Sequence, residues 1–345
     1  MDNNRTKSGY STFFKTKLAY ILFIYLFTLL LIMVSKLISP NFGSWAQIES
    51  ILVISSLMAM VGFAHGMVIL VGELDLSVGA IISLAGVYTA AFLGVDPTLM
   101  DFVVLLLLLM VIGAFNGIGV TYLKVPSFIM TLGTQMILFG CALGYTKGTV
   151  PGTSPAFLEK LMSGRLLEIP IPIFILIGMM IFGTYFQIKS NFGRKLYSIG
   201  SNKTTAHLAG VSVNKTIILA YMMSALFSGI TGMMLVGYSG GATLEMGNPY
   251  LIPSIAMVVI GGSSILGGSG NYLGTVGAAI FLTTVSTLIQ AIGINQGWQT
   301  FINGLMILLV LSFFRKEFYQ LFKRINVSIP NNLPDKKVNA IEKAE

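Results

Sequence analysis

The sequence predicts an all-α fold, a polytopic transmembrane bundle of about ten helices with both termini on the cytoplasmic side. Of its 345 residues, 54% are hydrophobic and only 10% are charged, and the mean hydropathy is +0.83. A soluble domain carries about 25% charged residues, whereas apolar runs of about 20 residues are typical of membrane-spanning helices. A soluble protein with an apolar core is the alternative, but it would need a charged surface that this sequence lacks.

The apolar spans can be placed in order along the chain. They cover residues 18–38, 48–71, 76–95, 98–121, 127–146, 169–188, 215–237, 251–267, 272–293 and 298–314. The first span is longer than the apolar region of a cleavable signal peptide, which predicts a retained helix. The chain is therefore expected to have an N-terminal tail (1–17), a membrane domain (18–314) and a charged C-terminal tail (315–345).

The distribution of Lys and Arg predicts the orientation of these spans. With the N-terminus inside, seventeen of the 21 basic residues fall in inner segments, and only Lys36, Lys147, Lys160 and Arg165 fall in outer ones. Loops on the cytoplasmic side carry an excess of basic residues. Both tails are therefore predicted to be cytoplasmic.

Several functional classes do not fit the sequence. A single cysteine, Cys141, and two distant histidines offer no disulfide and no metal-ligand spacing, and no cofactor is expected. The net charge of +8 lies in tails and loops without a basic stripe interleaved with aromatic residues, so no nucleic-acid partner is predicted. Neither a nucleophile constellation nor a P-loop is present, because GSNKT (Gly200–Thr204) lacks the glycine before Lys203. The protein is not predicted to be an enzyme, and energy from ATP would have to enter through another subunit.

Two acids, Glu73 and Asp75, stand between the second and third apolar spans and can be interpreted in two ways. In the favoured interpretation they reach the inner interface, where Asp75 or Ser77 caps the next helix. In the alternative, the helix is broken and the acids line a passage inside the membrane. Within the preceding span, His65 needs a polar partner, which is expected to be a hydrogen bond to another helix rather than a proton relay.

Glycine patterns predict close helix packing and an internal pseudo-repeat. Residues Gly72–Ile82 and Gly270–Ile280 are identical at five of eleven positions, although Gly/Ala-rich helices can also resemble one another by chance. Small residues let helix backbones approach closely in a membrane. Pairs four residues apart that fit this role are Gly62/Gly66, Gly113/Gly117, Gly140/Gly144 and Gly270/Gly274.

The long inner loop, residues 189–214, is the candidate contact for an energy-supplying subunit, with a solvated basic loop as the alternative. Asn202 is predicted to cap a short helix, Lys203–Ala209, that ends at Gly210.

Four segments together resemble the ribose-type ABC permeases, the membrane subunits of sugar importers. They are the loop GRKLYSIGSNKTTAHLAGV (Gly193–Val211), ELDLSVG (Glu73–Gly79), VPSFIMTLG (Val125–Gly133) and IGGSSILGGSG (Ile260–Gly270). Their order agrees with the family, and the resemblance covers roughly residues 45–315. It implies a permease dimer in the bacterial cytoplasmic (inner) membrane, of identical or sister permeases. A cytoplasmic ABC ATPase subunit and an extracytoplasmic solute-binding protein would be its further partners.

The resemblance also implies roles for individual residues. The loop that contacts the ATPase would include Gly193, Arg194, Gly200, Asn202, Ala206, His207 and Gly210. Residues near the translocation path would be Pro126, Phe128 and Thr131, and a turn would be shaped by Gly261, Gly262, Gly267 and Gly268. Departures from the family, GNPYLIPSIA (Gly247–Ala256) without acids and AHGM before Val68, lie in spans that could touch the solute.

The expected function is therefore import of a monosaccharide or a related polyol-like solute by alternating access. Uncharged polar residues can bind hydroxyl groups, and those chosen by type are Asn116, Thr131, Gln135, Gln290 and Asn303. The alternative is a self-sufficient ion-coupled transporter or channel.

Overall fold

The computed structural model describes residues 3–38, 42–93, 97–295, 297–299, 301–302 and 304–305. Residues 1–299 form one compact unit, and residues 300–345 form a second, of which only 301, 302, 304 and 305 are described, with helical backbone. The predicted C-terminal tail, most of the tenth span and Asn303 lie outside the described residues.

The described residues are almost entirely helical, which confirms the predicted fold class. The helices are α1 (Asn3–Ile38), α2 (Trp45–Leu70), α3 (Val78–Phe92), α4 (Leu99–Thr121), α5 (Ser127–Thr146), α6 (Ala156–Ser163), α7 (Ile171–Lys189), α8 (Asn191–Ser201), α9 (Lys203–Leu208), α10 (Val213–Ser239), α11 (Asn248–Ile260) and α12 (Tyr272–Ala291). A two-residue antiparallel hairpin joins β1 (Arg165–Leu166) to β2 (Ile169–Pro170) between α6 and α7.

Seven of the described helices are long and apolar enough to cross a membrane: α1, α2, α4, α5, α7, α10 and α12. At 1.5 Å per residue, α2 is about 39 Å long and exceeds a hydrocarbon core of about 30 Å. By the same measure α3 and α11 are about 22 and 20 Å long, so neither crosses the core alone. Nine of the ten predicted spans correspond to a helix, and two of these nine are half-length helices.

Two features differ from the prediction, the end of α11 and an additional helix in the inner loop. Helix α1 begins at Asn3, within the predicted tail, but its apolar stretch Ala19–Lys36 agrees with the predicted span 18–38. Helix α11 ends at Ile260 rather than at 267, because Gly262, Gly267 and Gly268 adopt positive φ in the turn that follows. The inner loop contains α8, which was not predicted, in addition to the predicted short helix.

The core is built around α2 and α10. Helix α2 packs against α7, α10, α11 and α12, and α10 also packs against α3 and α4. Phe63 of α2 lies at the centre of an aromatic cluster, with ring centroids 4.7 Å from Phe227, 5.2 Å from Tyr272 and 5.7 Å from Phe182. By contrast α1, α5 and α7 expose apolar side chains, as expected of helices that face lipid.

Most of the predicted glycine contacts are present. A Cβ added at Gly113 would lie 2.4 Å from the Tyr221 carbonyl oxygen, and one at Gly117 would lie 2.6 Å from the Ile218 Cα, so α4 and α10 touch through these glycines. Gly62 and the Gly270/Gly274 pair are similarly close to neighbours, and Gly66 makes only ordinary contacts. Gly140 and Gly144 differ from the others, since no described residue lies within 4 Å of a Cβ added at either position.

The two copies of the pseudo-repeat differ in local structure. The first copy begins in a turn and becomes helical at Val78, whereas the second is helical from Tyr272, its third residue.

Candidate translocation and coupling site

The chain between α2 and α3 leaves the helical conformation at residues 71–77, which we call the unwound segment. Helix α2 ends in a Schellman motif, in which Gly72 N donates to Ile69 O (2.9 Å) and Glu73 N donates to Val68 O (3.2 Å). Gly72 has φ +79°, a conformation that glycine adopts without steric cost. The glycine therefore fixes the point at which α2 stops and the unwound segment begins.

Side chains of α5 and α10 satisfy the backbone of the unwound segment. Leu74 N donates to the hydroxyl of Ser127 (3.3 Å), and Leu76 N donates to the hydroxyl of Thr131 (3.0 Å). The hydroxyl of Tyr221 donates to Leu74 O (3.0 Å). Ser127 and Thr131 are four residues apart and share one face of α5. These hydroxyls replace the helical hydrogen bonds that the segment lacks.

Asp75 lies at the centre of a buried polar cluster, formed by Asp75, Ser77, Asn116, Thr134 and Ser224. Its carboxylate, which is 1% exposed, accepts hydrogen bonds from Ser77 N (3.1 Å), Ser77 Oγ (2.5 Å) and Ser224 Oγ (2.9 Å). Ser77 Oγ accepts from Asn116 Nδ2 (2.9 Å), and Asn116 Oδ1 accepts from Thr134 Oγ1 (2.6 Å). Every donor in this chain is oriented toward the carboxylate, and such chains strengthen cooperatively.

The buried cluster lies well inside the helical bundle. Asn116 is five residues before the end of α4, about 8 Å along the helix, and Ser224 is eleven residues after the start of α10, about 16 Å. Asp75 is thus buried between α4, α5 and α10, and whether it lines a passage stays a prediction. Glu73 is half-buried beside the coupling residues described next, as an acid at the inner interface would be. Ser77 occupies the N-cap position of α3, but its hydroxyl makes no capping hydrogen bond.

Helices α8 and α9 and the residue between them form a compact unit at the predicted cytoplasmic end, the coupling segment (residues 191–210). Ser190 Oγ accepts from Gly193 N (2.8 Å) and caps α8. Asn202 Oδ1 accepts from Thr205 N (2.9 Å), so the predicted helix and its N-cap are confirmed, and Gly210 follows it with φ +81°.

The candidate coupling residues divide into packed and exposed groups. Gly193 and Ala206 are buried and pack inward, and Arg194 donates to Lys189 O (2.6 Å) and to Asn191. The side chains of Arg194, His207 and Leu208 are exposed, as is that of Asn202, whose amide oxygen caps α9. Only the exposed residues are free to offer side chains to another subunit.

The coupling segment contacts both the end of α2 and the glycine turn (residues 261–270). A Cβ added at Gly200 would lie 1.9 Å from Leu70 O and 2.2 Å from Gly268 N, and Gly268 N donates to Leu70 O (2.9 Å). Tyr197 donates its hydroxyl to Gly270 O (3.0 Å), and burial raises the pKa of Tyr197 to about 12, so this donor stays protonated. The glycines let three backbones meet without intervening side chains.

An ion pair completes this junction. Lys203 Nζ of α9 lies 2.6 Å from Glu73 Oε1 of the unwound segment. The Lys203 side chain is 50% exposed and that of Glu73 is 13% exposed, so the lysine reaches the protein surface while the carboxylate is largely covered.

The structure brings together some of the candidate path residues. Asn116 and Thr131 contact the unwound segment, and Gln135 is half-buried one turn further along α5. The side chains of Pro126 and Phe128 are exposed, and Gln290 is exposed at the far end of α12. These three residues do not join the buried cluster.

Five further residues contribute to the site but were not singled out by sequence reasoning: Ser127, Thr134, Lys203, Tyr221 and Ser224. Helical spacing carried a signal for some of them, since Ser127, Thr131 and Thr134 recur at intervals of four and three on α5. Tyr221 and Ser224 are likewise three residues apart on α10.

His65 has the expected partner on another helix. Its Nδ1 lies 2.9 Å from Ser254 Oγ of α11. Ser254 Oγ donates to Leu251 O (2.6 Å), so it accepts from His65, which places a proton on Nδ1. Among the described residues, no group of three or more His, Cys, Asp and Glu side chains could hold a metal ion.

Comparison with known proteins identifies related sequences. Residues 47–311 match the family described as branched-chain amino acid transport system, permease component. The chain is 30% identical to the ribose import permease protein of Escherichia coli (strain K12), over 82% of this chain and 90% of that relative. It is 30% identical to the ribose import permease protein of Bacillus subtilis (strain 168), over 84% and 90%. It is 31% identical to the autoinducer 2 import system permease protein of Escherichia coli (strain K12 / DH10B), over 83% and 85%. No solved structure gives a significant match.

Proposed function

This chain belongs to the ribose-type family of ABC-transporter permeases, and from that premise we propose that it imports a monosaccharide or a related polyol-like solute by alternating access, driven by a separate ATPase subunit. It is a multi-pass protein of the cytoplasmic membrane, since its relatives are membrane permeases and seven of its described helices can cross a bilayer. The proposal has a chemical part, the solute, and a mechanical part, the source of energy.

The observation that carries the mechanical part is the junction between the coupling segment and the unwound segment. The coupling segment contacts the end of α2 and the glycine turn after α11 through Gly200. It contacts the unwound segment through Lys203. The exposed side of the coupling segment offers Leu208, which is 81% exposed, together with basic side chains. An apolar side chain with a charged rim suits docking of a protein partner. An ATPase bound there could move the inner ends of the helices.

The outer end supports a second partner, a solute-binding protein. Helix α6 and the hairpin expose Phe157, Leu166 and Leu167 at this end. Arg165 anchors the hairpin on α2 through hydrogen bonds to both carboxylate oxygens of Glu49 (3.2 and 2.7 Å), and the hydrogen bond to Glu49 raises the pKa of Arg165. The hairpin therefore presents its apolar side chains from a fixed position.

The chemistry of the interior supports an uncharged, hydroxyl-rich solute. The groups in and beside the buried cluster are hydroxyls and an amide, around a carboxylate that already has three donors. Such groups exchange hydrogen bonds with sugar hydroxyls without separating charge. The proteins named as relatives import ribose or autoinducer 2, which is consistent with this solute class. A second copy of the chain, or a sister permease, would complete the passage.

Reconstitution in liposomes tests the function. The chain is incorporated with its cognate ATPase, and uptake of labelled ribose, xylose, galactose and inositol is measured with the solute-binding protein outside and ATP inside. We expect uptake of at least one solute only when all components and ATP are present. A hydrolysis-deficient ATPase variant is the matched control and should reduce uptake to that of empty vesicles.

The opposite result would identify the alternative function. If the chain alone carries solute, either down its gradient or against it when an ion gradient is imposed, the protein is a channel or an ion-coupled transporter. ATP-driven uptake of branched-chain amino acids but of no sugar would support the importer function and contradict the proposed solute.

A further inference from the structure

We propose that the unwound segment is the moving element that connects the coupling segment to the buried cluster, and that Lys203 and Glu73 are the positioning residues at its cytoplasmic end. The proposal rests on the proposed function, because it assumes that an ATPase moves the coupling segment. It assigns a role to Lys203, Glu73 and Asp75 that goes beyond docking.

The first argument is that the coupling segment contacts both the end of α2 and the unwound segment that follows it. Gly200 lies against Leu70 O, immediately before the unwound segment begins. Lys203, three residues later, is paired with Glu73 at 2.6 Å. A displacement of α8 and α9 would therefore pull on both the end of α2 and the third residue of the unwound segment.

The second argument is the short distance from Glu73 to the buried cluster. An extended chain advances at most about 3.6 Å per residue, so the Cα atoms of Glu73 and Asp75 are within about 7 Å of each other. Only Leu74 separates them. A shift at Glu73 would therefore be passed along the backbone to Asp75 and would change the position of its carboxylate.

The third argument is the kind of bond that holds the segment in place. Leu74 N and Leu76 N are bonded to the hydroxyls of Ser127 and Thr131, and Leu74 O to the hydroxyl of Tyr221, rather than to helix backbone. A hydroxyl can rotate to another partner without breaking the helix that carries it. The segment can therefore change conformation while α5 and α10 remain intact, as expected of an element with two discrete arrangements.

The fourth argument is what the buried cluster would transmit. Its hydrogen bonds run from Thr134 on α5 through Asn116 on α4 and Ser77 to Asp75, and Ser224 of α10 joins at the carboxylate. Displacing Asp75 would break its bond to Ser224 of α10 and its bonds to Ser77, through which Asn116 of α4 and Thr134 of α5 are connected. The cluster thus converts a local shift into a change in how α4, α5 and α10 are held together.

A cysteine reporter tests the proposal in the complete transporter. In a Cys141→Ser background, Leu74→Cys places a thiol between Glu73 and Asp75. Its labelling rate by a thiol reagent is measured in proteoliposomes with ATPase and binding protein, without nucleotide and with the ATPase trapped by ATP and vanadate. We expect the two rates to differ by at least about fivefold, the lower range of coupling between two sites.

Charge reversal then separates positioning from simple stabilisation. With Lys203→Glu, the two labelling rates should become equal in the transporter that retains its ATPase, which is isolated by co-purification. Adding Glu73→Lys restores opposite charges and should restore the difference. Lys215→Glu, an exposed basic residue outside the coupling segment, is the matched control and should leave the difference unchanged. If the ion pair only stabilised the fold, Lys203→Glu would lower the denaturation temperature, but the labelling rate would still depend on nucleotide.

Two results would overturn the proposal. One is a nucleotide-dependent difference that persists in Lys203→Glu, and the other is equal labelling rates in a Leu74→Cys transporter that still takes up solute. Both leave the proposed function standing, because uptake by the same vesicles is measured separately. Absence of ATP-driven uptake with Cys141→Ser alone would instead contradict the proposed function.

Discussion

The Asp75 carboxylate is buried without a basic partner among the described residues, and its neighbours explain how this is tolerated. A buried charge is costly unless it is hydrogen-bonded. Asp75 receives three donors, and it precedes α3, whose N-terminal end carries a partial positive charge. Hydrogen bonds and the dipole of α3, rather than an ion pair, therefore stabilise the buried carboxylate.

At this scale, a matched pair of Thr→Val substitutions tests the buried cluster. Thr134→Val removes the donor to Asn116 Oδ1 and leaves a buried acceptor unpaired, which should cost about 0.5–2 kcal/mol. Thr283→Val removes a buried hydroxyl that has no hydrogen-bond partner among the described residues, so no loss is expected. Thermal denaturation in detergent measures both. Equal denaturation temperatures for the two variants would contradict the importance of the chain of hydrogen bonds.

Among the helices, the two half-length ones share an unusual arrangement. The N-terminal ends of α3 and α11 meet inside the protein, where a Cβ added at Gly247 would lie 1.9 Å from Gly79 O. Gly247 N donates to Ser83 Oγ (3.0 Å), which fixes the start of α11 against α3. Because both glycines lack side chains, two helix ends fit where one continuous helix would otherwise pass. This arrangement resembles the discontinuous helices of transporters.

The packing of α4 on α10 gives a prediction for a whole helix pair. Gly113→Ala would place a Cβ 2.4 Å from Tyr221 O and should destabilise the protein by about 1–3 kcal/mol through overpacking. Gly140→Ala, in the open face of α5, is the matched control, since Ala is favoured over Gly in a helix by about 0.5–1 kcal/mol. The denaturation temperature should fall for the first variant and stay or rise for the second. A fall of equal size in both would show that this helix contact is not tight.

For the whole molecule, the charge distribution and the structure agree on which segments share an end. The unwound segment, the coupling segment and the glycine turn meet at one end, whereas Glu49 and Arg165 meet at the other. The sequence assigns the first end to the cytoplasm. The orientation itself stays a prediction of the Lys and Arg distribution.

Thiol labelling in intact cells tests that orientation. In a Cys141→Ser background, a membrane-impermeant maleimide should label Glu159→Cys in α6 without permeabilisation, because this residue is exposed at the predicted outer end. It should label Lys195→Cys in α8 only after permeabilisation. The Cys141→Ser chain, which has no other cysteine, provides the background signal. The reverse pattern would invert the topology and with it the proposed docking side.

The sequence by itself determined the helical membrane fold, the positions of nine apolar helices and the cap of α9 at Asn202. These features follow from local physics, since apolar length, an Asn before a helix and a glycine after it act within a few residues. Only the tertiary structure decided that Thr134, Asn116, Ser77 and Asp75 form one chain of hydrogen bonds, and that Lys203 reaches Glu73. The partner of a buried polar group depends on how segments distant in sequence pack together. That packing balances many weak contacts, and no spacing within a single span records it.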